Sequence, residues 1–140
     1  MNSLALYIKL STLFVWKRSN HVNLRVSTER VKKMKKISTV EEFEQVVKEN
    51  NRFLFLKHST TCPISAAGHE AFSAFASSHE DIPSYYLHVQ DSRDVSNYIA
   101  ETYEVKHESP QALLFEDGKV KWHASHWNIN EDELAKNVAH

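Results

Sequence analysis

The apolar positions of this chain change period from one stretch to the next, and those changes mark out its elements. Lys35-Lys36-Ile37 reads as a short first strand. Thr39 stands before Val40, Phe43, Val46 and Val47 at helical spacing, with Glu42 three residues on, so this stretch predicts a helix opened by a capping box. Arg52 to His58 is a near-continuous apolar run, the pattern of a parallel strand covered on both faces. Pro63 suits the first position of a helix, which places Cys62 at or beside the N-cap and turns Phe72 and Phe75 inward. Tyr85 to Val89 is the next strand, and Ser92 opens a helix with Val95, Tyr98 and Ile99 on one face. Ala112 to Phe115 and Val120 to Ala124, joined across Asp117-Gly118, predict a hairpin. Asn130 caps a last helix, with Glu133 at its third position and Leu134 and Val138 apolar.

Alternating strands and helices followed by a hairpin predict an α/β fold with a central mixed sheet of four to five strands and helices on both faces. A cysteine directly after the second strand, and Pro110 directly before the hairpin, make this order resemble the thioredoxin fold. That resemblance implies a cis-proline facing the active cysteine, hence a cis Ser109–Pro110 bond. The alternative is an ordinary trans proline at the start of an edge strand.

Composition adds two constraints. The 140 residues are 41% hydrophobic and 25% charged, which suits one soluble globular domain. The net charge of −1 conceals an asymmetry. Residues 1–33 carry seven basic side chains and a single acid, Glu29, whereas residues 34–140 carry ten basic and seventeen acidic ones. An acidic body lacks the clustered Lys and Arg of a nucleic-acid face. It fits a cytoplasmic protein with neither nucleic-acid nor membrane partners.

Residues 1–33 therefore read as an extra N-terminal segment attached to a domain at 34–140. Leu4 to Trp16 is apolar but interrupted by Lys9, and is too short to span a bilayer. It also lacks the small-residue cleavage pattern of a secretory signal. Three readings stand: a mis-assigned start with Met34 as the true first residue, a disordered or loosely attached arm, and a basic mitochondrial-type or membrane-surface helix. Glu29-Arg30-Val31 is compatible with the purine-rich codons GAA-AGG-GTG, which would serve as a bacterial ribosome-binding site ahead of Met34.

Cys62 is the only cysteine, which excludes an internal disulfide and fits a reducing compartment. A helix N-terminus offers unpaired N–H groups and a partial positive charge, both of which favour a thiolate. Cys62-Pro63-Ile64-Ser65 has the spacing of a C-x-x-C redox motif with serine in the second cysteine's place. Pro63 starts the helix, the N–H groups of Ile64 and Ser65 are placed to hold a thiolate, and the Ser65 hydroxyl can donate to it. That hydroxyl cannot attack a mixed disulfide. The expected chemistry is one-thiol exchange. The nine histidines form no compact ligand set in sequence, so they read as scattered solvated side chains, with no metal site. Gly68, inside the cysteine helix, reads as a close-packing or bending position.

Four patches then occur in order: Lys57-His58-Ser59 leading to Thr61-Cys62-Pro63-Ile64-Ser65, Gln90-Asp91-Ser92-Arg93, His107-Glu108-Ser109-Pro110-Gln111, and Ser125-His126-Trp127. Together they resemble the monothiol bacilliredoxins of the YtxJ type, over residues 34–140. The resemblance implies a cytosolic oxidoreductase of thiol redox homeostasis that removes bacillithiol from protein mixed disulfides. Its partners would be bacillithiolated client proteins and bacillithiol itself, a co-substrate, with no tightly bound cofactor. Cys62 would take bacillithiol from the client, and a second thiol would clear the adduct. Ser109, next to Pro110, would pair its backbone with the client. Trp127 would wall the substrate groove, or else pack near the last helix. Lys57, His58, Arg93 and His126 are candidates to meet the sugar and malate of bacillithiol. Two other classes stay open. A monothiol iron–sulfur carrier usually has glycine and an aromatic after its cysteine, where this chain has Pro63 and Ile64. A non-catalytic adaptor would use Cys62 only for regulation.

Overall fold

The computed structural model describes residues 34–139, and the readings of residues 1–33 lie outside the described residues. The elements are β1 (Lys35–Lys36), α1 (Val40–Glu49), β2 (Arg52–His58), α2 (Pro63–Ser78), β3 (Ser84–His88), α3 (Arg93–Thr102), β4 (Gln111–Glu116), β5 (Lys119–Ser125), a 3-10 turn (His126–Asn128) and α4 (Glu131–Val138). The sheet order is β1-β3-β2-β4-β5. β2 runs parallel to β3 and antiparallel to β4, so both of its backbone edges are paired. Its residues Phe53 to Lys57 are all buried, as the unbroken apolar run requires of a strand covered on two faces.

Alternation along β2 divides the core. Phe53 and Phe55 face α1 and α3, packing with Phe43, Val46, Val95, Ile99 and Phe115. Leu54 and Leu56 face α2 and α4, packing with Phe72, Phe75, Leu134 and Val138. Phe43 is the hub of the first side, with its ring edge-on to Phe55 at 5.3 Å and Phe115 at 5.5 Å between centroids.

The helix starts form as the pattern predicts, with one difference. Thr39 Oγ1 accepts from the N–H of Glu42, but the Glu42 carboxylate accepts from Ser38 rather than from the cap residue itself. Asn130 accepts from the Glu133 N–H. The third strand begins one residue before the predicted Tyr85, and the hairpin strands are longer than predicted because Gln111 and Ser125 pair at their ends. Asp117 and Gly118 both have positive φ, 52° and 74°, as a tight hairpin turn demands. The outer strand β5 alternates exposed Lys119, Lys121 and His123 with half-buried residues, and β1 at the opposite edge is two lysines long. No described helix is long and apolar enough to cross a membrane.

Truncating Phe43 to alanine removes the ring that joins two helices to two strands. Phe43→Ala should cost about 3–5 kcal/mol, read as a lower denaturant midpoint with an unchanged slope.

Candidate thiol site

Cys62 is the N-cap of α2, half-buried, in the extended backbone conformation of a cap, and its carbonyl accepts the Ala66 N–H at 3.1 Å. Pro63 occupies the first helical position, where its missing N–H costs nothing. The cysteine sulfur makes no capping hydrogen bond. The expected contacts from the Ile64 and Ser65 N–H groups are therefore not made in this conformation, and the helix end acts on the thiol through its dipole.

Ser65 departs from expectation. Its side chain is fully buried, and its Oγ accepts the Ser59 N–H at 2.7 Å and meets His58 Nδ1 at 3.2 Å. The hydroxyl fastens the loop that leads into Cys62 and is not directed to the sulfur. A second clasp lies outside: Gln90 donates to Ser59 Oγ at 2.7 Å and to Thr61 Oγ1 at 3.2 Å, and accepts from the Thr60 N–H. Gln90 thus ties the cysteine loop to the loop after β3.

Three histidines gather beside Ser65 instead of scattering. The His58 ring lies 4.7 Å from His69 and 5.5 Å from His88, with Tyr86 edge-on to His69. Burial lowers the His58 and His69 pKa values first, and repulsion from the neighbouring histidines lowers them further. Among the described residues no three His, Cys, Asp or Glu side chains are placed to hold a metal ion. Sequence reading missed the roles of His69 and Gln90. A signal for His69 existed: Ser65, Gly68, His69 and Phe72 form a helical stripe.

The Ser109–Pro110 bond is cis. Pro110 is buried against α2, where a Cβ built on Gly68 would stand 3.4 Å from the Pro110 ring. The 109–110 segment therefore packs directly on the cysteine helix at Gly68. The Pro110 carbonyl accepts the His126 N–H at 3.1 Å, which fixes the 3-10 turn bearing Trp127. Trp127 is 71% exposed, the large apolar side chain most open to solvent among the described residues. It lines the surface and is not a packing residue. A hydrogen bond from Ser125 lowers the pKa of Glu108.

Of the four residues expected to meet bacillithiol, Arg93 and His126 are exposed and His58 half-buried. Lys57 is fully buried on the opposite face of the sheet from α2, so it cannot reach a surface ligand.

The family model described as monothiol bacilliredoxin BrxC matches residues 35–134. The chain belongs to the monothiol bacilliredoxins. A solved thioredoxin-fold protein, described as a candidate oxidoreductase, is 46% identical over 75% of this chain and 93% of its own, with a TM-score of 0.71. Mitochondrial thioredoxin 3 of Saccharomyces cerevisiae, at 21% identity, covers 76% of this chain and 93% of its own with a TM-score of 0.62. Fasciola hepatica thioredoxin, at 18% identity, covers 76% and 97% with a TM-score of 0.63. The last two establish the thioredoxin fold, and the family establishes a thiol redox role. In this bacilliredoxin the serine that stands in for a second cysteine serves the loop's hydrogen bonding.

The buried titratable groups set the pH response of stability. Burial lowers Lys57 to about 8 from its ordinary 10.5. Between those values the unfolded chain holds a proton that the native state lacks, so stability should rise with pH through this window. On the acid side His58 and His69 are harder to protonate when folded, so stability should fall as pH drops through about 6.5. Denaturant titrations across pH check both limbs, and Lys57→Met should flatten the alkaline one.

Proposed function

We propose that this bacilliredoxin removes bacillithiol from protein mixed disulfides through Cys62. The observation that carries the reading is a single half-exposed thiol at the start of α2, with Pro110 packed against the same helix and no second cysteine in the chain.

The steps are those of thiol–disulfide exchange. The Cys62 thiolate attacks the bacillithiol sulfur of the client disulfide. A bond forms between Cys62 and bacillithiol, the client's sulfur–sulfur bond breaks, and the client leaves as a thiolate that takes a proton from water. A second bacillithiol, as its thiolate, then attacks the adduct. This releases bacillithiol disulfide and returns the Cys62 thiolate. Pro63 and the first-turn N–H groups of Ile64 and Ser65 lie at the positive end of α2, which favours the anionic sulfur at the start and end of the cycle. Ser109 offers backbone hydrogen bonds to the client chain, and Trp127 offers an apolar wall beside it. No tightly bound cofactor takes part, and the cytoplasm, where bacillithiol is reduced, is the setting.

Intact mass spectrometry tests the reading. Wild type mixed with bacillithiol disulfide should gain the mass of one bacillithiol, and Cys62→Ser should gain nothing. Ser65→Cys should release the bacillithiol and end as an internal disulfide two hydrogens lighter than the reduced form. Wild type that forms no adduct with bacillithiol disulfide or with a bacillithiolated client would overturn the assignment.

A further inference from the structure

Trp127 combines an exposed side chain with a fixed backbone. It is 71% exposed on the 3-10 turn, and among the described residues no other large apolar side chain is exposed. The turn is tied at both ends. The His126 N–H donates to the Pro110 carbonyl at 3.1 Å, and the Ile129 N–H to the His126 carbonyl at 3.2 Å. Asn130 Nδ2 donates to the Trp127 carbonyl at 3.1 Å, while the same side chain caps α4. His126 enters the turn at φ 55°, a left-handed conformation that a residue with a side chain adopts where its surroundings enforce it. The turn packs on α2, with Ile129 and Pro110 both against Gly68. A ring presented on so fixed a support is a preformed contact, because little freedom is lost when a ligand meets it.

The groups next to this turn are polar. Glu108 comes from the segment before Pro110, which meets the turn where Gln111 pairs with Ser125. Ser125 hydrogen-bonds the Glu108 carboxylate, and that bond, followed by His126, Lys106 and His123, holds it below the usual carboxylate range. His126 and Asn128, on either side of the tryptophan, are exposed. A single indole set among carboxylate, imidazole and amide groups is too small to define an apolar peptide groove. It matches a ligand with one apolar face and a polar edge, which is the form of a pyranose ring. The negative face of the indole suits the C–H groups of such a ring, and a carboxylate accepts strong hydrogen bonds from its hydroxyls.

We propose that Trp127 is the platform for the hexose ring of bacillithiol, with Glu108 and His126 meeting the ring's hydroxyls, and that it selects this thiol over small thiols without a sugar. The inference rests on the function proposed above. In the Cys62 adduct the ring hangs from the sulfur on one cysteinyl arm. It therefore lies on the surface around the start of α2, the helix against which the tryptophan's turn is packed.

Two measurements test the platform. The first compares the rates at which Cys62 is modified by bacillithiol disulfide and by cystine, which carries no sugar. The ratio of the two rates should fall about five- to tenfold in Trp127→Ala and recover in Trp127→Tyr, which restores an aromatic face. A merely structural role would lower both rates and leave their ratio alone. The second uses glucosaminyl malate, which is bacillithiol without its cysteinyl arm, and so needs no thiol chemistry. Titrated into isotope-labelled wild type to millimolar concentration, it should move the indole N–H resonance of Trp127, identified by its loss in Trp127→Tyr. Malate alone should not move it. An unchanged ratio in Trp127→Ala, or an indole that glucosaminyl malate does not move, overturns the proposal, and a Cys62 adduct then leaves the functional reading standing. A moved indole without any adduct from bacillithiol disulfide sinks the functional reading and keeps the platform.

Discussion

The fold depends on burying one strand completely. β2 has both backbone edges paired and both side-chain faces covered, so five consecutive residues leave water together. Hydrophobic burial and a saturated hydrogen-bond ladder act on the same residues. The chain after β2 must leave the sheet at the strand's C-terminal end, and the residues there are Ser59-Thr60-Thr61-Cys62. The thiol is placed at the rim of the molecule because the strand before it cannot be anywhere but the centre.

A rim position alone would leave that loop free to wander. Two hydrogen-bonded clasps restrain it, Ser65 from within and Gln90 from the neighbouring loop. Both use neutral groups. Neutral donors and acceptors hold the loop without setting a fixed charge of their own beside the thiol. The charge that is buried, on Lys57, lies on the far side of the sheet, where α3 separates it from solvent.

Much of the fold was legible in the sequence because its signals are local. Helical stripes, N-cap residues at Thr39 and Asn130, and the Asp117-Gly118 turn each act within a few residues. Cys62 at the helix start was legible for the same reason, from Pro63 after an apolar run. The non-local contacts were not. Ser65 was read as a donor to the sulfur because it is three residues away, yet the inward face of α2 presents it to His58 and Ser59. The histidines looked scattered because His58, His69 and His88 come from three elements whose adjacency only the sheet order creates. Lys57 was read as a candidate to meet bacillithiol, since nothing local shows that α3 closes over it.

The two outer strands of the described sheet have a consequence for how the protein meets other chains. An open sheet edge invites any unfolded segment to add as a further strand, and copies of the same protein to join edge to edge. Here β1 is only two residues long and both are lysines, and β5 sets Lys119 and Lys121 along the other border. Desolvating those ammonium groups opposes such pairing at either border. The border lysines therefore act as gatekeepers against edge-to-edge growth of the sheet into amyloid-like stacks.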